Sequence, residues 1–310
     1  MCKTDYQAIE TLNWGKAVNM FLMHLEYDLN RSSETIRGYR KDLYHFGSCM
    51  IDNHGPKFIP KKVGPMDIWL YLRHLSQDHK YAPRSRARNL ASIKSFYNFL
   101  KLNDLIKKDP SQNIQWPTLP QNEQPIYFTV EDFHKIISVI DLKDHNQYIY
   151  WVMIHVLFLT GMRISEVLSL KCKDVDIINK IIYVREGKGN KNRTIPISKS
   201  LNQVLSDYFT RHGGSSDAIF FLSMRSDSGQ ISPQCIRRII KKYCHLAGVE
   251  KAKLSPHVFR HGFATTLYMD KGVDLLRIAT LLGHSSTRTT EIYAHTNEDH
   301  LRKAVDLIDI

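Results

Sequence analysis

The sequence predicts a mainly α-helical protein of two domains, the second carrying a small β-hairpin, an α+β arrangement in which helix dominates. Three observations carry this. Apolar residues recur at helical spacing over most of the 310 residues, one stretch alternates at strand spacing, and prolines cluster once between two helical regions.

The proline cluster is "DPSQNIQWPTLPQNEQP", residues 109–125, with four of the chain's 11 prolines and neither a helical nor a strand period. Proline stops helices and biases the preceding residue to extended geometry, so this segment reads as a linker. It separates a helical domain, 1–108, from a larger one, 126–310. In the first, Ser32 and Ser33 cap a helix whose stripe is Ile36, Tyr39, Leu43, Phe46 and Met50, with Arg37, Arg40 and Lys41 on its other faces. A later helix sets Arg84, Arg86, Arg88 and Lys94 against Leu90, Ile93, Phe96, Tyr97 and Leu100. Each basic face alone reads as solvated surface; two in one small domain point to DNA backbone and groove contacts.

Past the linker, helices are expected at about 129–140 and 145–159, and "TGMRISEVLSL" reads as another. "KIIYVREGKGNKNRTIPI" alternates, turns at Gly187 to Asn192 and alternates again, a hairpin with a basic tip. Helices are expected from Ser198 to the end. Among them "SPQCIRRIIKKYCHLAGV" groups Arg237, Arg238, Lys241 and Lys242 opposite Ile236, Ile239, Ile240 and Tyr243, a second surface suited to DNA.

Charge narrows the partner. Lys+Arg number 43 against 31 Asp+Glu, a formal +12 that favours a polyanion, nucleic acid before membrane. The longest apolar run, "YWVMIHVLFL", is too short to cross a bilayer and reads as a core helix. "MCKTDYQAIETLNWGK" lacks a signal-peptide pattern, and the five cysteines show no CxxC spacing. Together they suggest a cytoplasmic protein with reduced thiols, without a disulfide frame or a zinc site.

In "LSPHVFRHGFATTL", Ser255 suits an N-cap and Pro256 the first helical position, which puts His257 and Arg260 on one face near the positive end of a helix. An anion is favoured there. His257 and His261 also have the i, i+4 spacing of a metal pair, but no glutamate follows the first histidine and Arg260 lies between them, so no metal is expected. Gly161 breaks the helix before Arg163. Viewed alone, Arg163 and Glu166 read as a surface ion pair and Lys188 as a solvated loop lysine. His284 follows Gly283, a C-cap glycine, and Tyr293 falls on the segment after it. Two arginines, a lysine, two histidines and a tyrosine, without clustered carboxylates, form an inventory for metal-free phosphoryl transfer. Guanidinium forks hold phosphate oxygens, a base or cation activates tyrosine, and lysine protonates a leaving alkoxide.

In order and spacing, "TGMRISEVLSL", "GKGNKNRTIPI", "SPHVFRHGFATTL" and "LLGHSSTRTTEIYAH" resemble the four signature boxes of the tyrosine recombinase (phage integrase) family, over about 126–300. The domain before them resembles that family's SAM-like core-binding domain. The resemblance implies that Arg163 and Arg260 clamp the scissile phosphate and that Lys188 is general acid for the 5′-hydroxyl. It also implies that His257 is a general acid/base, that His284 hydrogen-bonds the phosphate, and that Tyr293 is the nucleophile forming a 3′-phosphotyrosyl bond. Glu166 matches the acidic position that orients the site. No cofactor is implied. The implied partner is double-stranded DNA with a specific core site, bound by a dimer on one site and a homotetramer on two, with room for an accessory protein or second recombinase, and no membrane. In the tail helix, Leu301, Ala304, Val305 and Ile308 form an apolar stripe that taken alone could dock on its own domain; the resemblance implies instead that it packs on a neighbouring protomer.

Bacterial, phage or mobile-element origin follows from the same resemblance. The chain starts almost at the core-binding domain, which suits compact Xer-type or transposon-borne enzymes. Competing readings are a type IB topoisomerase, which shares the phosphotyrosyl chemistry, a catalytically silent DNA-binding regulator, and a metal-dependent nuclease, for which the carboxylates are missing.

Overall fold

The computed structural model describes residues 12–120, 125–187, 191–222, 229–284, 286, 290 and 292. Lys188, Tyr293 and the expected tail helix lie outside the described residues. The backbone divides into two compact units, Met1–Gln121 and Asn122–Ile310.

The first unit is built of helices whose starts are written in the sequence. Helix α1, Trp14–Met23, is capped by the Asn13 side chain and runs on into a π-turn at His24–Asp28. In α2, Ser33–His54, the Ser32 hydroxyl accepts the Thr35 N–H, and Ile36, Leu43, Phe46 and Met50 are buried as their spacing predicts. Helices α3, Pro65–Gln77, and α4, Pro83–Leu102, both begin on proline, whose missing N–H goes unmissed there. Trp14 anchors the core between Phe46, Phe58 and Phe96, with ring centroids 4.9–5.5 Å away.

In the second unit α5, Val130–Ser138, opens with a reciprocal cap: Thr129 Oγ1 accepts the Asp132 N–H and Asp132 returns the bond to the Thr129 N–H. Helix α6, His145–Thr160, is buried on nearly all sides, and its His155 is accommodated by a 2.8 Å bond between Nδ1 and the Trp151 carbonyl. It is the core helix that the apolar run predicts; α10 and α8 pack on it. Then follow α7, Ile164–Leu168, and a three-stranded antiparallel sheet of β1 (Val175–Asp176), β2 (Ile181–Gly187) and β3 (Lys191–Pro196), in that order. Pairing of Ile182 with Ile195 and Val184 with Arg193 fixes the register. The remaining helices are α8 (Lys199–His212), α9 (Pro233–Leu246), α10 (Pro256–Thr265, continued by a π-turn at Thr266–Asp270) and α11 (Leu275–Leu282).

The mainly helical α+β class is as expected, with four local corrections. Strand β1 adds a third member to the hairpin. The "TGMRISEVLSL" helix has only five residues. Helix does not continue from Ser198 onward: after α8 come Gly213 and Gly214, and the chain doubles back so that the Cys172 N–H meets the Ala218 carbonyl and the Phe220 N–H meets that of Leu170. The early part of the 109–125 segment is not a free tether. Lys94 Nζ donates to the carbonyls of Ser111 (2.7 Å) and Gln112 (3.1 Å) and lies 5.5 Å from the Trp116 ring centroid, which holds that stretch on α4. No helix among the described residues is long and apolar enough to cross a membrane.

Candidate active site

Three guanidinium groups converge on one turn. Arg193 Nε donates to the Leu281 carbonyl at 3.1 Å, Arg260 Nη2 to that of Leu282 at 2.8 Å, and Arg163 Nη2 to that of Gly283 at 3.3 Å. These carbonyls end α11. The last carbonyls of a helix lack intrahelical partners and sit at the negative end of its dipole, so they are natural seats for cations. Gly283 takes a left-handed conformation, φ 66°, that turns the chain there, and a Cβ on it would come within 2.9 Å of the Arg193 side chain. The next residue is His284.

Arg163 arrives from α7, where it is the N-cap. Glu166, three residues on, accepts the Arg163 backbone N–H (2.8 Å, Oε2) and its Nη1 (2.8 Å, Oε1). The same carboxylate takes a bidentate fork from Arg193, Nη1 to Oε1 at 2.9 Å and Nη2 to Oε2 at 2.8 Å. Glu166 is 6% exposed. The surface ion pair is therefore a correction: Glu166 is buried and Arg163 half-buried, and a second arginine shares the carboxylate. Burial alone would raise the Glu166 pKa. The bonds from Arg193, then those from Arg163, outweigh it and hold the carboxyl at about 2, from an ordinary 4.5.

Arg260 lies on α10, 5% exposed, and its Nη1 also donates to the Gly161 carbonyl at 2.7 Å. Gly161, φ 62°, ends α6 where a Cβ would fall 2.5 Å from Phe263 and 2.8 Å from Leu282. Glycine at this point lets α6, α10 and α11 meet. Pro256 occupies the first turn of α10 as expected, but the cap differs: the Ser255 hydroxyl makes no bond to the helix and is buried without a partner among the described residues. His257 is exposed, one turn before Arg260. The protein around its ring, and then the charges of Arg260, Lys253 and Arg163, hold its pKa below the ordinary value. His284 is pushed down to about 4, by burial first and then by Arg260, Arg163 and Arg193, and its Nδ1 meets Thr290 Oγ1 at 2.8 Å. His261 is likewise held at about 4 by burial, with His257 and Arg260 adding to it. Cations favour neutral imidazoles, so at neutral pH these rings can accept as well as donate protons.

The structure thus gathers Arg163, Glu166, Arg260, His257 and His284 around the α11 terminus. Lys188 and Tyr293 lie outside the described residues. Sequence reasoning missed Arg193 and Thr290. A signal for Arg193 was present in the strand period: Arg193, Ile195 and Ile197 alternate with exposed Asn192, Thr194 and Pro196, so the arginine points inward and demands a carboxylate. Thr290, fully buried, carries no comparable signal.

The expected DNA-facing residues divide. Arg40 and Lys41 on α2, Arg84 on α4, and Arg237, Arg238, Lys241 and Lys242 on α9 are exposed. Arg37 pairs with Glu34 at 2.7 Å on the surface, and Arg88 binds buried Asp42 at 2.7 Å. Arg86 is half-buried, and Lys94 holds the 111–116 stretch. No group of three or more His, Cys, Asp or Glu among the described residues is arranged to hold a metal.

The fold is mainly helical, and its three arginines meet at a helix terminus beside histidines whose pKa values are held low. The family follows from comparison with known proteins. Residues 127–300 match the phage integrase family and residues 18–103 its N-terminal SAM-like domain, so the chain belongs to the phage integrase, or tyrosine recombinase, family. It is 31% identical to the tyrosine recombinase XerC of Caldanaerobacter subterraneus, over 98% of this chain and 90% of that one. It is also 31% identical to the tyrosine recombinase XerD of Staphylococcus epidermidis, over 92% and 96%. In fold it resembles the Tn1549 transposon integrase in complex with circular intermediate DNA, with a TM-score of 0.73 at 20% identity, covering 95% of this chain and 99% of that one. The XerH recombinase bound to difH substrate gives 0.69 at 19%, over 93% and 83%.

Proposed function

We propose that this chain is a site-specific DNA recombinase that cuts and rejoins strands through a phosphotyrosyl intermediate. The observation that carries the reading is the seating of Arg163, Arg193 and Arg260 on three successive carbonyls immediately before His284. Relatives of known name across most of the chain support it.

In this reading the Tyr293 hydroxyl oxygen attacks the scissile phosphorus while its proton passes to a base, with His257 in that position. The bond to the 5′-oxygen breaks, and Lys188 supplies the proton for that leaving group. The product is a 3′-phosphotyrosyl ester and a free 5′-hydroxyl. Arg163 and Arg260 neutralise the charge gathering on the non-bridging oxygens, and His284 donates a hydrogen bond to one of them. Attack by the 5′-hydroxyl of a partner strand reverses the chemistry. One ester is exchanged for another at every step, so no nucleotide hydrolysis is needed.

Two such exchanges produce a Holliday junction and two more resolve it. Reciprocal exchange needs four protomers on two duplexes, two on each, with the tail contacting a neighbour. The exposed basic residues of α2, α4 and α9 supply phosphate contacts, and an accessory protein or second recombinase remains compatible with the scheme. A soluble, cytoplasmic location fits DNA as substrate. Two differently labelled duplexes from the gene's own locus test the reading. Wild type should yield a four-way junction and recombinant strands, and Tyr293→Phe neither. Supercoil relaxation without strand exchange would point to a topoisomerase instead.

A further inference from the structure

The arginine that sequence reasoning passed over is held by the protein through all three of its guanidinium nitrogens. Arg193 uses Nε on the Leu281 carbonyl and both terminal nitrogens on the two oxygens of Glu166, and its side chain is 11% exposed. Arg163 makes one side-chain bond to Glu166 and one to Gly283, and its side chain stays 22% exposed. The two guanidiniums on one carboxylate therefore have different freedom. Arg193 is committed to the protein, whereas Arg163 keeps part of its surface for a ligand.

Three separate segments meet at this point. Arg193 stands on β3, Glu166 on α7, and Leu281 at the end of α11, three residues before His284. The absence of a Cβ on Gly283 leaves room for the Arg193 side chain. Strand β3 also pairs with β2 in the hairpin.

We infer that Arg193 is a positioning residue: by taking both oxygens of Glu166 and the Leu281 carbonyl, it fixes the Arg163 guanidinium for the phosphate and ties the β2–β3 hairpin to the turn bearing His284. The inference rests on the recombinase reading above. Without Arg193, one buried carboxylate faces Arg163 alone. Glu166 would then claim more of the Arg163 guanidinium and compete with the phosphate for it. Arg193 itself touches no DNA in this account.

The probe is a nicked duplex enriched from a randomised pool by covalent capture on the wild-type protein. Single-turnover formation of the SDS-stable adduct and DNA affinity are measured for wild type, Arg193→Gln, Arg193→Lys, Glu166→Gln and the Arg193→Gln/Glu166→Gln double variant. Arg193→Gln should bind the duplex as wild type does, with the same salt dependence, but cleave it roughly 10- to 100-fold more slowly, the scale expected when a reacting group is misplaced by about 1 Å. Arg193→Lys, which keeps the charge and loses the fork, should fall between the two. In the Glu166→Gln background the Arg193 change should cost clearly less than it does in wild type, because one of the two groups through which it acts is gone and only the Leu281 tie remains. The cleavage rate of Arg193→Gln should also begin to fall at a higher pH than that of wild type, since Glu166 loses its strongest partner and protonates more readily.

Cleavage by Arg193→Gln at the wild-type rate would overturn the inference. So would Arg193 and Glu166 effects that multiply independently to within about twofold, which would mean that Arg193 does not act through the carboxylate. If Arg193→Gln does not melt cooperatively, Arg193→Lys decides: wild-type cleavage by that variant overturns the inference. A wild-type protein that binds the pool yet captures nothing would instead overturn the recombinase reading and, with it, the inference.

Discussion

Replacing Glu166 with glutamine removes one charge and almost no volume, and it isolates the carboxylate at the centre of the site. The acid accepts four bonds, two from Arg163 and two from Arg193. Its depression from 4.5 to about 2 corresponds to about 3 kcal/mol of folding stability at neutral pH. The sign follows from the direction. A carboxyl whose folded pKa is depressed stabilises the fold fully above its unfolded value of 4.5, and that contribution fades as pH falls through about 2. About 1.4 kcal/mol of it should be gone by about pH 3.5. For a unit of this size, 3 kcal/mol is roughly 6–12 °C in melting temperature. Calorimetry of wild type and Glu166→Gln at about pH 7 should show that gap in the transition of the second unit, and the gap should narrow by about pH 3.5. A melting temperature unchanged at neutral pH, or a gap that stays constant on acidification, would refute the charge-sharing argument.

Other perturbations separate structural from DNA-facing roles. Gly283→Ala forces a left-handed residue and a Cβ within 2.9 Å of Arg193; it should cost about 1–2 kcal/mol and abolish adduct formation, as melting and gel assays would read. Lys94→Met releases the Ser111 and Gln112 carbonyls, so limited proteolysis should cut within 109–120 faster than in wild type, while equal rates would mean that the strap is idle. Arg238→Gln with Lys242→Gln on exposed α9 should reduce the slope of log affinity against log salt by about 1–2, whereas Arg88→Gln, paired with buried Asp42, should lower the stability of the first unit more than it alters that slope.

Much of this was legible in the sequence because local chemistry decided it. Ser32 caps the helix that it precedes. The stripe from Ile36 to Met50 is buried, and the alternation from Ile181 to Pro196 is a hairpin. Long-range contacts were what the sequence could not display. Nothing local to Glu166 indicates that an arginine 27 positions later will share it, nor that carbonyls near residue 282 will collect guanidiniums from three segments. Lys94 looked like a DNA contact because a basic helix face has the same pattern whether it meets phosphate or its own chain's carbonyls. Ser255 had the right type and place for a cap, but its hydroxyl does not form one. The short β1 has too few residues to show a period.

The central claim is that Tyr293 attacks the DNA phosphate. Wild type and Tyr293→Phe should each be incubated in EDTA with duplex from the gene's own locus, nicked so that the cleaved fragment escapes, and the SDS-stable product digested and analysed by mass spectrometry. The account predicts a nucleotide-bearing peptide modified at Tyr293 in the wild type and no adduct from Tyr293→Phe. An adduct on another residue, or one formed equally by the phenylalanine variant, would contradict it.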